Sequence, residues 1–87
     1  MQKYLIYILE CADQSYYVGQ TDDLEKRLLE HNSQKFHGYT STRLPVKLVY
    51  QIAFPSRTQA LTIETKIKKW SRVKKQALIN GDFSLSL

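Results

Sequence analysis

Residues 4–20 decide the fold of this chain, and they run Tyr4-Leu5-Ile6-Tyr7-Ile8-Leu9-Glu10-Cys11-Ala12-Asp13-Gln14-Ser15-Tyr16-Tyr17-Val18-Gly19-Gln20. The opening run is apolar, β-branched and aromatic, which is typical of a central strand with both faces covered. Residues 12–15 are turn formers, and residues 16–20 again favour a strand. The stretch therefore predicts a β-hairpin. Because side chains alternate across a strand, Tyr17 shares a face with Gly19, where a backbone or a ligand has room to approach closely.

A helix is predicted directly after the hairpin. Thr21-Asp22-Asp23 supplies residues that favour a helix N-cap, and Asp22 with Glu25 fits a capping box. The helix is expected to continue to about Asn32 and to bury Leu24 and Leu28, which are one turn apart. Arg27 and His31 are also four residues apart and lie beside this leucine stripe. We therefore expect both side chains to face the region near the sheet.

The second half of the chain predicts one more strand and two more helices. Residues 33–45 have the composition of a loop, and a loop of this length is often functional. Residues 46–52 favour a strand. A helix from Ser56 has Ala60, Leu61, Ile63 and Ile67 as its apolar stripe, and a third helix, from Ser71 to Gly81, is expected to bury Val73, Ala77 and Leu78. The order ββαβαα predicts an α+β fold: a single domain over residues 1–81, with a three-stranded antiparallel sheet flanked by helices, and a short tail at 82–87.

The composition limits the class of protein. Eighty-seven residues are enough for one compact domain and too few for two. No apolar run is long enough to cross a bilayer, and Cys11, the single cysteine, cannot form an internal disulfide. The first residues already favour a strand, so we expect no signal peptide. We expect a monomeric cytoplasmic protein with no membrane association.

The charge of the chain is concentrated in its second half. Residues 1–33 contain three basic and six acidic side chains, whereas residues 34–87 contain ten basic and two acidic ones, for a net charge of +5. A basic half favours a polyanionic partner such as a nucleic acid. A solvated helix surface is the alternative, although such a surface usually mixes both signs. Six of the ten basic residues lie close together: Lys66, Lys68, Lys69, Arg72, Lys74 and Lys75.

Glu64 is expected to project into the apolar stripe of its helix, between Ala60 and Leu61. A carboxylate in such a place is costly unless it is paired, hydrogen-bonded or bound to a metal. Two interpretations stay open, namely a surface ion pair with Lys68 and an inward acid that holds a divalent cation. With one acid available, Mg²⁺ or Mn²⁺ suits the site, because Mg²⁺ keeps several waters and completes its shell with substrate phosphate.

The chain resembles the GIY-YIG nucleases, in particular the small stand-alone bacterial members. The resemblance covers nearly the whole chain, and Leu5 and Gln20 depart from it, standing where many members have glycine and some have lysine, respectively. It is carried by Leu5-Ile6-Tyr7, Tyr17-Val18-Gly19, Asp23-Leu24-Glu25-Lys26-Arg27, His31-Asn32, Glu64 and Ile67-Lys68-Lys69. It implies a metal-dependent endonuclease that hydrolyses DNA, with DNA repair or the processing of branched DNA as its setting.

The resemblance also implies roles for five residues. Glu64 matches the metal-binding glutamate and Arg27 the arginine that grips the scissile phosphate. His31 would accept a proton or bind phosphate. A phenol is a weak base at neutral pH, so it needs activation by positive charge or by metal-bound water. Tyr17 is the better candidate for the proton acceptor and Tyr7 for placing the water. The assignment of these two roles is left open. From the residues alone, packing of the sheet also explains both tyrosines.

The surface expected to bind nucleic acid extends beyond these catalytic candidates, and RNA remains an alternative substrate because phosphate contacts do not distinguish the sugars. Two alternatives to a self-sufficient nuclease also stay open. One is a noncatalytic nucleic-acid-binding module with the same fold, and the other is a nuclease subunit that needs a protein partner. The residues expected to contact nucleic acid are Arg27, Tyr39, Arg43, Lys66, Lys68, Lys69, Arg72, Lys74 and Lys75.

Overall fold

The computed structural model describes residues 3–33 and 38–81, and it has the predicted ββαβαα order. This α+β architecture confirms the predicted fold class. The proposed tail at 82–87 and part of the central loop, at 34–37, lie outside the described residues. The elements are β1 (Tyr4–Glu10), β2 (Tyr16–Thr21), α1 (Leu24–Asn32), a 3-10 turn (Tyr39–Thr42), β3 (Lys47–Phe54), α2 (Arg57–Lys68) and α3 (Arg72–Ile79).

The three strands form one antiparallel sheet in the order β2-β1-β3, which makes β1 the central strand, as its apolar run predicts. In the β1–β2 register, Tyr7 lies opposite Gly19, and Leu9 lies opposite Tyr17. Residues that are opposite each other, or two apart on one strand, share a face of the sheet. Tyr7 and Tyr17 are therefore on the same face of the sheet. Gly19 shares this face, opposite Tyr7 and two residues after Tyr17 on β2.

Both faces of β1 are covered, which explains why its central residues are fully buried. Ile6 and Ile8 point to the face that α2 and α3 cover, and Tyr7 and Leu9 point to the face that α1 covers. The first face holds a cluster of Ile6, Ile8, Val18, Ala60, Ile67 and Leu78. The second holds Tyr7, Leu9, Cys11 and Val46, with Leu24 and Leu28 of α1 packed against them.

The helix starts are fixed by side-chain caps, and one of them differs from the prediction. The N-cap of α1 is Asp23, whose side chain accepts a 3.1 Å hydrogen bond from the backbone N–H of Lys26. The expected capping box on Asp22 was therefore wrong by one residue. Ser56 and Ser71 cap α2 and α3 in the same way, at the predicted starts of these helices. Each such cap stabilises its helix by about 1 kcal/mol.

Two residues expected in the core are exposed. Leu61 of α2 is 53% exposed and Val73 of α3 is 78% exposed. One step along a helix turns the side chain by about 100°, so α2 points Leu61 away once Ala60 faces the sheet. Val73 lies in the first turn of α3, whereas that helix contacts the core through Leu78 near its end. Within residues 3–33 and 38–81, none of the helices has both the length and the apolar character required for a membrane crossing.

Candidate active site

The candidate site is built around Tyr7, whose side chain is fully buried at the centre of the sheet. The ring of Tyr17, from the neighbouring strand, lies 6.3 Å from the Tyr7 ring between centroids. The register of β1 and β2 thus brings together the two tyrosines of the hairpin. Tyr17 is only partly buried, so it forms the outer side of the pair.

Helix α1 places His31 against both tyrosines. Nε2 of His31 is 3.1 Å from the hydroxyl oxygen of Tyr7, and the His31 ring lies edge-on to Tyr17 at 5.3 Å between centroids. Nδ1 of His31 is 2.7 Å from Oγ1 of Thr40 in the 3-10 turn. Burial, together with the charge of Arg27, lowers the pKa of His31 below its ordinary value, and Glu30 opposes this. The imidazole is therefore neutral at neutral pH.

The environment of Tyr7 raises the pKa of its phenol above the ordinary value. Burial is the main cause, and the neighbouring Tyr17 phenol and Glu64 carboxylate add to it. Arg27 works against the shift through its charge and through a hydrogen bond to the phenol. Because an ordinary phenol already ionises only near pH 10, the Tyr7 hydroxyl keeps its proton at neutral pH. Tyr7 is thus suited to donating a hydrogen bond rather than to acting as a base.

Arg27 lies one helical turn before His31 and acts on both buried groups described above. Its Nε is 3.5 Å from Oε1 of Glu30, and its side chain is about one-third exposed. An exposed ion pair of this kind is weak, so the guanidinium can exchange the carboxylate for another anion. α1 therefore places a fixed positive charge beside the Tyr7 hydroxyl, at the solvent side of the site.

Glu64 forms the ion pair with Lys68 that one interpretation of the sequence expects, and its side chain is largely buried. Its side chain is only 12% exposed, and Oε2 is 3.5 Å from Nζ of Lys68, which is far more exposed. Its charge also contributes to the raised pKa of Tyr7. Among residues 3–33 and 38–81, no three side chains of the metal-ligating types come together to form a cage. A single carboxylate fits Mg²⁺ or Mn²⁺ only as an incomplete site, to which water and substrate oxygens add the other ligands.

The 3-10 turn forms a third side of the site. The ring of Tyr39 stacks on Tyr17 at 6.4 Å between centroids, and the guanidinium of Arg43 lies 3.9 Å from the Tyr39 ring centre. Arg43 also pairs with Asp13 of the β1–β2 turn, with 3.0 Å between Nε and Oδ2. Tyr39 thus borders the catalytic candidates, whereas Arg43 connects the 3-10 turn to the β1–β2 hairpin.

Two further residues position the site through contacts that the sequence does not predict. Thr40 lies in the long loop, and its hydroxyl reaches His31 only because the 3-10 turn folds back. Asn32 pairs with the backbone of Val46 in both directions, at 3.0 and 3.3 Å, and so joins the end of α1 to the start of β3. The length of the loop was the available signal for Thr40, and no local pattern indicates Asn32.

Helices α2 and α3, which carry the clustered basic residues, cover the opposite face of the sheet, and among their described residues Glu64 is the one whose charge acts on Tyr7. Several of their side chains already have partners. Arg72 lies over the Tyr16 ring at 4.5 Å, and Lys74 lies over the half-buried Trp70 at 4.3 Å. Lys66 and Lys69 are exposed and form no ion pair with any described residue.

Comparison with known proteins connects this geometry to a family. A family model described as the GIY-YIG catalytic domain matches residues 3–77. A UPF0213 protein of Staphylococcus saprophyticus is 46% identical over 80 residues, which are 92% of this chain and 98% of that protein. UPF0213 protein YsiG of Lactococcus lactis is 47% identical over 83 residues, covering 94% of this chain and 80% of that protein.

Two solved structures share the fold. The solution NMR structure of a UPF0213 protein from Bacillus halodurans is 40% identical, with a TM-score of 0.60, and the match covers 93% of this chain and 89% of that one. The solution NMR structure of a protein from E. faecalis is 30% identical, with a TM-score of 0.66, and covers 100% of this chain and 96% of that one.

Proposed function

Since the chain belongs to the GIY-YIG catalytic domain family, we propose that it is an endonuclease that uses Mg²⁺ or Mn²⁺ to hydrolyse phosphodiester bonds of DNA. One observation carries the proposal. Tyr17 and His31 both contact the buried phenol of Tyr7, and the charges of Arg27 and Glu64 act on the same phenol. These five residues come from the β1–β2 hairpin, α1 and α2, and packing alone does not require their convergence.

Glu64 is the residue proposed to hold the cation. Its carboxylate is nearly buried but still faces one ammonium group, that of Lys68. A bound divalent cation supplies an activated water and stabilises negative charge on the phosphate and the leaving oxygen. The protein contributes one carboxylate and the shape around it, so substrate phosphate completes the ion's surroundings.

The other residues act on the phosphate and the water. Arg27 offers a guanidinium that suits two phosphate oxygens at once and offsets the charge of the transition state. Tyr17 is proposed as the acceptor of the water's proton, because it is the more accessible of the two phenols. Tyr7, which keeps its proton, orients the reacting groups, and the neutral His31 holds Tyr7.

Binding to the DNA backbone is assigned to a larger surface. Lysine and arginine contacts to phosphates supply affinity without reading bases. We therefore expect cleavage directed by DNA shape, as in branched or damaged DNA, rather than by sequence, and we propose the cytoplasm as the place where the protein acts. The proposed contacts are Arg27, Tyr39, Arg43, Lys66, Lys68, Lys69, Arg72, Lys74 and Lys75.

A plasmid-nicking assay tests the proposal. Supercoiled DNA is incubated with the protein in Mg²⁺, in Mn²⁺ and in a chelator, and wild type is compared with Glu64→Gln. Glu25→Gln is the matched control, because Glu25 is an exposed acid on α1. We expect nicking by wild type and Glu25→Gln in either metal, and loss of nicking in Glu64→Gln and in the chelator.

The other outcomes separate the remaining candidates. Equal nicking by wild type and Glu64→Gln shows a contaminating nuclease and contradicts the proposal. Salt-sensitive DNA binding without nicking, on linear and branched substrates alike, favours the noncatalytic binding module. Nicking that requires an added host extract assigns the chain to a nuclease that needs a partner. The same assay with an RNA strand of matching sequence decides between the two nucleic acids.

A further inference from the structure

Behind the candidate site, three fully buried polar side chains lie in a row: Thr40, His31 and Tyr7. Oγ1 of Thr40 is 2.7 Å from Nδ1 of His31, and Nε2 of His31 is 3.1 Å from the Tyr7 hydroxyl oxygen. A hydroxyl donates or accepts, and a neutral imidazole donates through one nitrogen and accepts through the other. The row therefore has two directions in which its hydrogen bonds can run.

The hydroxyl of Thr40 decides between the two directions. Its side chain has zero exposure, and across residues 3–33 and 38–81 its hydroxyl bonds only to Nδ1 of His31. A buried hydroxyl hydrogen left without an acceptor costs free energy, so the hydrogen of Thr40 belongs on this bond. Nδ1 is then an acceptor, and the single N–H of the neutral His31 ring lies on Nε2.

The direction continues to Tyr7. The Nε2–H group of His31 donates to the phenol oxygen, so the hydroxyl hydrogen of Tyr7 does not point at His31. The charge of Arg27 acts on the same phenol, and a guanidinium has no acceptor atoms. The hydroxyl hydrogen of Tyr7 must therefore point away from both His31 and Arg27.

We propose that Thr40 is a positioning residue that sets the direction of this buried row, so that Tyr7 faces the site as a hydrogen-bond donor. The reverse direction would leave the Thr40 hydrogen unpaired and turn the hydrogen of Tyr7 inward, with phenol lone pairs facing an anionic phosphate. A donor at that place instead stabilises charge on a phosphate oxygen. This last step, from Tyr7 to phosphate, rests on the proposed function, whereas the direction of the row does not.

The backbone around Thr40 supports the assignment, because the 3-10 turn is fixed from outside the row. Arg43 donates to the carbonyl oxygen of Tyr39 at 2.7 Å and pairs with Asp13, and the backbone N–H of Ala12 donates to the carbonyl oxygen of Arg43 at 2.8 Å. Thr40 is thus held by the β1–β2 hairpin independently of His31. It can therefore orient the imidazole rather than follow it.

Nitrogen NMR of the free protein tests the direction without any substrate. The chain has two histidines, so His37→Gln leaves one imidazole, that of His31, in ¹⁵N-labelled protein. We expect the His31 spectrum at pH 7.5 to show a protonated Nε2 and an unprotonated Nδ1. A protonated Nδ1 with an unprotonated Nε2 overturns the proposal at once, before any variant of Thr40 is made.

Two substitutions at position 40 then test whether Thr40 sets this state. Thr40→Val keeps the shape and removes the hydroxyl, and Thr40→Ser keeps the hydroxyl. We expect mixed or reversed nitrogen signals in Thr40→Val and the wild-type pattern in Thr40→Ser. Unchanged signals in a folded Thr40→Val overturn the positioning role. If Thr40→Val does not fold, Thr40→Ser still decides, because a changed nitrogen pattern in Thr40→Ser contradicts the proposal.

Cleavage gives the separate readout for the step that rests on the proposed function. Thr40→Val is expected to nick plasmid DNA about five- to tenfold more slowly than Thr40→Ser, with DNA binding unchanged. Equal rates in the two variants overturn the step from Tyr7 to phosphate and leave the NMR result in force. Absence of nicking in wild type contradicts the proposed function instead.

Discussion

The phenol ring of Tyr7 lies directly over Gly19 of the neighbouring strand. A Cβ atom at position 19 would be 2.5 Å from Cζ and 3.0 Å from Cε1 of Tyr7, and closer still to the hydroxyl oxygen. The glycine is thus required by the ring above it. Because β2 is an edge strand, the missing side chain lets the Tyr7 hydroxyl extend from the central strand towards the sheet edge. His31 and Arg27 meet the hydroxyl there.

Gly19→Ala is therefore expected to destabilise the fold by about 1–3 kcal/mol, the usual cost of overpacking a rigid neighbour. Urea unfolding of wild type, Gly19→Ala, Tyr7→Leu and the double variant measures this cost and its origin. The shorter leucine removes the ring, so adding Gly19→Ala to Tyr7→Leu should cost less than it does in wild type. An equal cost in both backgrounds would show that the ring is not the cause.

The raised pKa of Tyr7 predicts that its phenol stays protonated at a pH where ordinary phenols ionise. Burial, the Tyr17 phenol and the Glu64 carboxylate raise this pKa, and Arg27 opposes them. Tyrosine labelled with ¹³C at Cζ reports ionisation residue by residue, and Tyr7→Phe identifies the signal. We expect the Tyr7 signal to remain at its protonated position at about pH 10.5, above the ordinary value for tyrosine. Ionisation of Tyr7 at or below pH 10 would restore it as a candidate base.

The lowered pKa of His31 predicts a stability that falls with acid. The folded pKa lies below the ordinary value of about 6.5, so between the two values the unfolded chain binds more protons than the folded one. The free energy of unfolding is therefore at its full value above about pH 6.5, it decreases as the pH falls from about 6.5 to the folded pKa, and it levels off below that. Unfolding in urea at pH 7.5 and at pH 5.5 should show this loss.

Two variants identify the group responsible for that loss. His31→Gln is expected to remove most of the difference between pH 7.5 and pH 5.5, because histidines are the side chains that ordinarily titrate in this window. His37→Gln should leave the difference in place. Retention of the full pH dependence in His31→Gln would assign it to another group.

The parts of this structure that the sequence predicts are those that depend on local pattern. The hairpin follows from the local pattern around Tyr7 and Tyr17, whereas the register of β1 and β2 is what brings the two rings together. The contact of His31 with Thr40 depends on how a loop folds back, and no periodicity specifies that. Likewise, exposure of Leu61 depends on the rotation of α2 over the sheet, which packing against β1 sets. The sequence indicates Glu64 because a carboxylate in an apolar stripe costs free energy. That its charge acts on Tyr7 depends on how α2 packs against the sheet.

The exposed lysines at the end of α2 predict the salt dependence of DNA binding. Lys66 and Lys69 form no ion pair within the described part of the chain, so they can contact phosphates without breaking one. Each lost phosphate contact is expected to reduce the slope of log K against log salt by about 0.9. Binding is measured in chelator, which prevents cleavage, for Lys66→Ala, Lys69→Ala and Lys47→Ala. Lys47→Ala removes the same charge from β3 and should leave the slope unchanged. An equal decrease in all three would indicate net charge as the cause.

The ion pair between Lys68 and Glu64 predicts a competition with metal. The Lys68 ammonium is 3.5 Å from Oε2 of Glu64, so a cation on that carboxylate must displace it. Because the Lys68 side chain is exposed, solvent screens the pair, which contributes about 0.2–1 kcal/mol, or a factor of about 1.5 to 5 in affinity. Lys68→Gln should therefore bind Mn²⁺ about 1.5- to 5-fold more tightly, as measured by paramagnetic broadening of the Glu64 backbone amide.

Lys69→Gln is the matched control for this competition, because it removes the same charge one residue away from a side chain that is not paired with Glu64. If Mn²⁺ affinity increases only in Lys68→Gln, the ammonium occupies the place of the cation in the free protein. An equal increase in both variants would mean that the general positive field of α2 opposes metal binding. Broadening that is absent at Glu64 and present at other carboxylates would remove Glu64 as the metal ligand.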